Sequence, residues 1–582
     1  MAKESTTNER MEKIVSLTKR RGFIFQSSEI YGGINGFWDY GPLGADLKRN
    51  LRDTWWRAMT REREDVLGLD ASIILHPAIW KASGHVDTFS DPMSDCLVTK
   101  KRFRSDHVEL QSGTLYRWTG AQDLSGKSSS EPFSVLLAAG KPPESARKVA
   151  QLYYAQRGLE TPELLGETTE KLENSRAFNP DNGAQLTDPV PFNLMFHTFV
   201  GATAGENDKA YLRPETAQAI FVQFKNVADS TRIKVPFGIC QIGKAFRNEV
   251  TPRNFTFRSR EFEQMELEFF IAPDEAIQLI HGQVAQWSES ADLTNPQPDW
   301  GWELWHRYWV KQRTDYYARI GLSADVLDYY WQTPSELAHY ARACVDILFK
   351  FPFGTEELEG IAARGDFDLS QHQKHSGKPL EVFDDELRAA AVKLSDEQKT
   401  AFIATVVADW GKHQKSTEEA TGFAERLLKG FYLPHVIEPS AGLDRLTLAI
   451  IANAFTEVEK TDPKGKIETL TVLRFHPRIA PVKVGVFPLL KNKPELVAKA
   501  RAVYDLLKPY LATFYDDGGS IGKRYARQDE IGTPFCLTID FDSIGENGPE
   551  LLDTVTLRHR DDARQERVKI SDLLGLLLPQ VA

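Results

Sequence analysis

The sequence predicts an α+β protein, an antiparallel sheet flanked by helices and broken by insertions, followed by a separate C-terminal α/β unit. Three observations carry this reading. In Gln241–Phe270, "QIGKAFRNEVTPRNFTFRSREFEQMELEFF", apolar residues fall on alternate positions, and "TPRNFTF" joins two such runs into an antiparallel pair. From Pro477 the pattern changes to short strands, "VKVGVFPLL", "PFCLTIDF" and "DTVTLRHR", with a helix over Lys493–Leu511 between two of them. Leu43, Leu47, Leu51, Trp55 and Met59 recur every four residues and form one face of a long helix.

At 582 residues the chain exceeds a single core, and 41% hydrophobic with 26% charged residues is an ordinary globular composition. Cys96, Cys240, Cys344 and Cys536 lie far apart with no CxxC pair. That excludes a disulfide scaffold or a contiguous zinc site and suits a reducing, cytoplasmic location. No apolar run reaches membrane-spanning length, so no membrane partner is expected. A net charge of −11 excludes wholesale coating of nucleic acid but leaves room for a local basic patch.

In chain order, residues 1–82 open with a capped amphipathic helix. Thr6 and Glu9 form its capping box, Ile14 and Leu17 its apolar side and Gly22 its stop; it lacks the continuous apolar centre of a signal peptide. Glycines and Pro42 then lead into the Leu43 helix, whose stripe is core or subunit interface. Residues 83–190 turn polar and irregular, with a helical stretch near Glu131–Arg157, and read as an insertion. In 191–272, "AYLRPETAQAIFVQFKNV" passes from strand to helix, with Thr216 as N-cap and Ile220, Phe221, Phe224 and Val227 as the buried stripe; the strand pair follows. Residues 273–372 begin mostly helical and rich in Trp and Tyr, and "FGTEELEGIAARGDFDL" reads as strand and turn. Polar helices over 373–430 form a second insertion. In 431–476, "HVIEPSAGLDRLTLAIIANAF" is a strand, a turn and an apolar helix, and 477–582 is the α/β unit.

The chain has no GxxxxGK[ST]; "GSIGKRY" lacks the spacing, and no GxGxxG follows a strand. The strand pair is more informative. Ile242, Phe246 and Val250 fall on one face, and Gly243, Ala245, Arg247 and Glu249 on the other, the small residues leaving room above the sheet. Beyond the turn, Met265, Leu267 and Phe269 mark the core face, and Phe262, Gln264, Glu266 and Glu268 the opposite one. Guanidinium groups suit phosphate, an aromatic plane suits a base, and carboxylates suit an ammonium group. A solvated antiparallel face alternates in the same way, and spacing leaves both readings open.

"FRNEVTPRNFTFRSREF" resembles motif 2 of the class II aminoacyl-tRNA synthetases. "PSAGLDRLTLAI" resembles motif 3, and the Pro42 helix resembles motif 1, the dimer element. With "GFWDYGPLG", "RPETAQ", "REFEQMELEFF", "AHYA", "ELEGIAARGDFDL" and "EPSAGLDR" in order, the chain from about Phe23 to its end resembles the homodimeric type of glycyl-tRNA synthetase. The unit after Pro477 resembles that family's anticodon-binding domain. The resemblance implies ATP-dependent ligation of glycine to tRNA(Gly) through a glycyl-adenylate. A non-catalytic relative, such as the accessory subunit of mitochondrial DNA polymerase, parts from the enzyme at Arg247, Glu249, Arg258, Phe262 and Arg445, and all five residue types are present. Specificity for serine, proline or threonine is disfavoured by the acidic set below.

By this resemblance Arg247 binds the α-phosphate, Arg258 the γ-phosphate, and Phe262 with Arg445 sandwiches the adenine. Asn248, Glu249, Phe257, Leu358 and Gly442 complete the ATP site, and Glu357 holds the magnesium on the phosphates. Glu215, Glu266 and Glu438 surround the glycine ammonium. Gln264 and Phe262 adjoin them, Ser440 lies near Cα, and Arg104 of "KKRFRSDH" closes over the substrate. Three acids around one ammonium are costly to bury without it. Many relatives carry a zinc-binding Cys pair in the first insertion and another before "FNLMF". Here these read Cys96-Leu-Val-Thr99 and Asn179-Pro-Asp-Asn182, so no structural zinc is expected. Lys523, Arg524, Arg527, Arg558 and Arg560 are candidates for anticodon-stem phosphates.

Overall fold

The alternating runs of Gln241–Phe270 become neighbouring strands of a seven-stranded sheet. In chain order its strands are β1 (Val66–Gly68), β2 (Phe237–Phe246), β3 (Glu261–Ile271), β4 (Leu327–Trp331), β5 (Ala343–Phe351), β6 (Gly354–Gly365) and β7 (His435–Gly442). Across the sheet they run β4-β5-β6-β7-β3-β2-β1, antiparallel except for β1 beside β2. The computed structural model describes residues 2–202, 205, 208–338, 340–412, 416–461 and 467–581. They divide into two compact units, Met1–Ser83 with His197–Ala582, and Gly84–Phe196.

The helices that position the sheet are α1 (Ala2–Arg21), α2 (Pro42–Thr60), α3 (Ala217–Thr231), α4 (Trp302–Arg319), α5 (Phe367–Ser376) and α6 (Leu443–Ala454). One face of the sheet buries Met265, Leu267 and Phe269 of β3 against Leu47, Leu51 and Trp55 of α2, Trp305 and Trp309 of α4, and Leu446 of α6. The four-residue stripe of α2 is therefore core, with Leu43 partly buried at its start. The opposite face is closed at one end by Phe221 and Phe224 of α3 and Leu369 of α5, packed on Phe237, Ile239 and Phe270. Val227 adjoins that cluster, and the polar side chains of β3 occupy the rest of the face.

Several sequence expectations change. Helix α1 begins at Ala2, so Thr6 lies inside it and is not its N-cap. Strand β2 ends at Phe246, which leaves Arg247, Glu249 and Val250 beyond the strand rather than on its faces. Among the described residues of 275–350 only Asp274–His281 and α4 are α-helical, because β4 and β5 follow; the Trp and Tyr residues of α4 are core packing. His339 of "AHYA" lies outside the described residues.

In the core a charged pair is sealed away from water. The Nε of Arg313 donates to Glu359 Oε1 at 2.7 Å, Tyr317 donates to the other oxygen, and both members of the pair are 1% exposed.

The Gly84–Phe196 unit is β-rich rather than irregular. It contains three three-stranded sheets and one long helix, Pro143–Ala155, shorter than the stretch read from the sequence. Trp118, Phe133, Tyr153 and Tyr154 form its core, with Phe133 stacked on Tyr153 at 3.9 Å. Cys96 is fully buried there, and its Sγ accepts from the Thr99 N–H. In the second segment Asn179 Oδ1 accepts from the Asp181 N–H and Asn182 Oδ1 from the Ala184 N–H. These two turns are closed by side-chain-to-backbone hydrogen bonds of the kind short polar residues provide.

The C-terminal part adds β8 (Val484–Pro488), β9 (Thr513–Tyr515), β10 (Phe535–Ile539), β11 (Thr554–His559) and β12 (Gln565–Lys569), in the order β9-β8-β10-β11-β12. Helices α7 (Pro494–Leu507) and α8 (Leu573–Val581) supply Leu496, Val503, Leu573 and Leu577 to its core. Three of the arginines expected to meet phosphate are structural instead. Arg524 donates to the carbonyls of Pro488 and Gly519, Arg560 to those of Gly532 and Phe475, and Arg558 pairs with Asp529 at 2.8 Å. Arg527 is held on Asp516, while Lys523 is exposed. Among the described residues no helix is long and apolar enough to cross a membrane.

Removing one partner of a buried ion pair strands the other charge. Glu359→Ala should therefore lower stability by about 3–5 kcal/mol, read as a lower midpoint in urea unfolding. An unchanged midpoint would contradict the assignment.

Candidate active site

Strand register lines up a row of side chains across the polar face. Gln241 of β2 faces Glu266 of β3, Glu266 faces Ser440 of β7, Ser440 faces Gly360 of β6, and Gly360 faces Asp346 of β5. At the centre, Glu266 is 2% exposed and both its oxygens are occupied. Oε1 accepts from Ser440 Oγ at 2.8 Å and Gln264 Nε2 at 2.9 Å. Oε2 accepts from the Thr216 N–H at 2.9 Å and from its hydroxyl. Burial and the nearby charge of Glu215 push this carboxyl above its ordinary range, while Thr216, Ser440 and Arg247 pull it back.

Thr216 occupies the N-cap position of α3, but its hydroxyl makes no cap bond and serves Glu266 instead. A carboxylate at the helix N-terminus satisfies the free N–H and meets the positive end of the dipole. The preceding residues of "RPET" do related work. A Cβ on Gly243 would come 2.1 Å from Arg213 Nη2, so the room left by that glycine is filled by the Arg213 guanidinium rather than kept open. Arg213 is anchored there on the carbonyls of Lys244 and Ala71 at 2.7 and 3.0 Å. The Pro214 carbonyl in turn accepts from Arg247 Nε at 3.0 Å, and the Arg247 guanidinium lies 5.4 Å from the Phe262 ring centre.

A second acidic layer adjoins the first. Glu438 of β7 accepts from Arg364 Nη1 on both oxygens at 2.7 Å. Arg364 also donates to Asp368 of α5, through Nε at 3.0 Å and Nη2 at 3.2 Å, with its guanidinium 4.0 Å from the Tyr340 ring centre. Burial works against the arginine's charge, but Asp368 and Glu438 hold it firmly protonated; burial likewise pushes Glu438 up. Gln218 Nε2 bridges Asp368 and Glu215, and its Oε1 meets His372 at 2.8 Å. Arg213, Thr216, Gln218, Arg364 and Asp368 are the site residues that sequence reasoning missed. "RPETAQ" and "GIAARGDFDL" contain all five, but strand and helix periods do not announce ion pairs that join distant segments.

On the other side of the row, Arg258 pairs with Glu249 at 3.4 Å, and Asn248, the chain neighbour of Glu249, is half-buried. Arg445, at the start of α6, lies 4.6 Å from the ring centre of Phe257 and pairs with Glu357 at 3.2 Å; the arginine seen over Phe262 is Arg247. Gly442 pairs with Gln264, and Leu358 is buried in the core at 1% exposure. A Cβ on Gly360 would lie 3.7 Å from Asp346 Oδ1 and 3.8 Å from Glu357 Oε1, so these two carboxylates flank the space above that glycine. Among the described residues no group of three or more His, Cys, Asp or Glu could hold a metal ion. Arg104 belongs to the Gly84–Phe196 unit, where it pairs with Asp91 and Asp106.

The three motif segments meet at Asp444. Its Oδ1 accepts from Tyr40 OH at 2.6 Å and Lys48 Nζ at 2.7 Å, and its Oδ2 from the Glu263 N–H at 2.6 Å. Lys48 also pairs with Glu263 at 3.0 Å. Burial alone would raise the Asp444 carboxyl, but Lys48 and Tyr40 outweigh it and hold the group below its ordinary value.

An antiparallel sheet with acids and arginines on one face, bounded by these three segments and followed by a small α/β domain, is the architecture of a class II aminoacyl-tRNA synthetase. Residues 483–579 match the family model described as anticodon binding domain. Across nearly the whole chain the sequence is similar to three curated proteins called glycine–tRNA ligase. The protein of Rhodopirellula baltica is 42% identical over 97% of this chain and 98% of its own length. That of Thermus thermophilus is 43% identical over 97% and 98%, and that of Thermobifida fusca 41% over 99% of each. The chain belongs to the glycine–tRNA ligase family.

The folded Asp444 carboxyl titrates below the ordinary 3.8, so its contribution to stability is complete above that pH and is lost as pH falls through the folded value. Asp444→Asn should therefore be least stable relative to the parent near neutrality, with the gap closing below about pH 4 in urea titrations at a series of pH values. A gap independent of pH would contradict the clamp.

Proposed function

We propose that the protein activates glycine with ATP and transfers it to the 3′ end of tRNA(Gly). The observation that carries this reading is the convergence of Glu215, from the loop before α3, with Glu266, Glu438 and Ser440 of the sheet, near Arg247. A glycine carboxylate oxygen attacks the α-phosphorus, the bond to the β-phosphate breaks, and pyrophosphate leaves. A terminal ribose hydroxyl of the tRNA then attacks the carbonyl, and AMP leaves. The attacking carboxylate is already ionised, so the protein contributes position and charge rather than a nucleophile.

In this reading Arg247 steadies the α-phosphate and Arg258 the γ-phosphate, with Glu249 orienting Arg258. Phe262 and Arg445 hold the adenine, and Asn248, Phe257, Gly442 and the backbone of Leu358 line the same pocket. The four lone-pair sites of Glu266 are all taken, so the ammonium displaces Ser440 or Gln264 from Oε1 and then lies among Glu215, Glu266 and Glu438. Ser440 stays at Cα, where any side chain larger than hydrogen meets it. Exclusion by size needs no separate editing site.

Oxygen ligands suit magnesium, and Glu357 with Asp346 beside it fits an ion carried in on the phosphates, where it supplies charge neutralisation. The turn closures at Cys96 and Asn179 support a first insertion that is stable without zinc. The protein works in the cytoplasm as a homodimer, a state supported by Ile30 and Tyr31 in the turn-rich segment ahead of the Pro42 helix, which stand 90% and 88% exposed.

ATP–pyrophosphate exchange should depend on glycine and be absent with alanine or serine. No exchange with any of the three defeats the enzyme assignment, and exchange with serine alone defeats the specificity. Arg247→Ala should lower exchange by about 10²–10³-fold while light scattering still reports a dimer. Near-parental exchange removes Arg247 from phosphate binding. Elemental analysis should find no stoichiometric zinc, and one zinc per chain would overturn the zinc-free reading.

A further inference from the structure

Strand β3 carries one more acid on this face. Glu268 follows Glu266 by two residues, is 0% exposed, and neither of its carboxyl oxygens has a hydrogen-bond partner among the described residues. Register sets its neighbours. Glu266 faces Ser440 and Phe269 faces Ile437, which puts Glu268 directly opposite Glu438 on β7; on its other side lies Ile239 of β2. Two carboxylates opposite one another in a sheet repel, and in a buried site they cannot both ionise without added positive charge.

The groups facing Glu268 supply little of that charge. Glu438 comes from β7, Arg364 from β6, Asp368 from α5 and Glu266 from its own strand. Arg364 is already paired with two acids, with Nη1 on Glu438 and Nε and Nη2 on Asp368. The buried face of α3 presents Phe221 and Phe224 with neutral Gln218, and α5 adds His372, which burial holds toward its neutral form. Burial and the charge of Glu438 push the Glu268 carboxyl far above the ordinary carboxylate range. One arginine thus serves two acids, and the third is left to a proton.

We propose that Glu268 is a fourth acid of the glycine site, protonated when no ammonium group is present, and that glycine binding expels this proton to solvent. The proposal rests on the reading of Glu215, Glu266 and Glu438 as the ammonium partners. The arriving cation supplies the positive charge that lets Glu268 and Glu438 ionise together. Only the O–H bond of Glu268 breaks, and its proton passes to buffer. Glu268 acts through the field at Glu438 and is a positioning residue, not a catalytic one. By linkage, the apparent affinity for glycine rises with pH as long as the free site is protonated.

The test uses the full-length enzyme. A non-hydrolysable glycyl-adenylate analogue is titrated calorimetrically near pH 7 in two buffers of different ionisation enthalpy. The KM for glycine in pyrophosphate exchange is measured from pH 6 to 8, a range in which free glycine keeps its ammonium proton. The parent should release up to one proton per analogue bound, and its KM should fall as pH rises, by at most tenfold per unit. Glu268→Gln, which fixes the neutral state, should release almost none. Its KM for glycine should stay flat at the parent's low-pH value, with the KM for ATP unmoved. Equal proton release by the two proteins overturns the proposal. So does an absence of release in the parent, a result that needs no folded variant. The underlying reading fails separately, if Glu266→Gln and Glu438→Gln leave the KM for glycine unchanged.

Discussion

A carboxylate buried on a sheet face needs hydrogen-bond donors from elsewhere in the chain, and Glu266 takes its donors from three elements. Thr216 donates from the start of α3, Gln264 from the same strand and Ser440 from β7. The short segment Arg213–Thr216 is the hinge of this arrangement. Arg213 fills the space above Gly243, Pro214 receives Arg247, and Thr216 reaches Glu266. The phosphate-facing arginine and the ammonium-facing acid of the proposed reaction are therefore set by two residues of one short segment, Pro214 and Thr216. A displacement of that segment moves both.

A second constraint ties the segments resembling the three class II motifs together. Asp444 receives Tyr40 and Lys48 from the motif 1 region and the Glu263 N–H from β3, while its chain neighbour is Arg445. Breaking a buried charge pair is far more costly than breaking an exposed one, so this node fixes α6 against β3 in one register. It also places Arg445 where it meets Phe257 and Glu357. The helix that carries the apolar stripe of Leu47, Leu51 and Trp55 is thus joined to the Arg445 end of the site through Lys48.

Much of this was legible in the sequence because strand and helix periods report which face a residue occupies. The alternation through Met265, Leu267 and Phe269 marked the core face, and that of Gln264, Glu266 and Glu268 the polar one. Period does not report partners. Thr216 looked like an N-cap, and its hydroxyl turned instead to a carboxylate fifty residues away in sequence. Gly243 looked like open room, and a guanidinium from another segment fills it. Arg364 gave no signal, because its meaning lies in two acids on other elements. Arg524, Arg558 and Arg560 looked like a basic surface, yet each is buried on carbonyls or an aspartate. The first insertion read as irregular because its strands are short and polar on their exposed sides, and its core is assembled from Trp118, Phe133 and Tyr153.

The central claim is that this acidic face binds the amino group of glycine with the α-phosphate beside it. A crystal structure with a non-hydrolysable glycyl-adenylate analogue tests it most directly. The account predicts the ammonium nitrogen about 2.7–3.2 Å from carboxylate oxygens of Glu266 and of Glu215 or Glu438, with Arg247 on the phosphate mimic. An analogue bound with its ammonium directed away from Glu266, or bound off this sheet face, would contradict it.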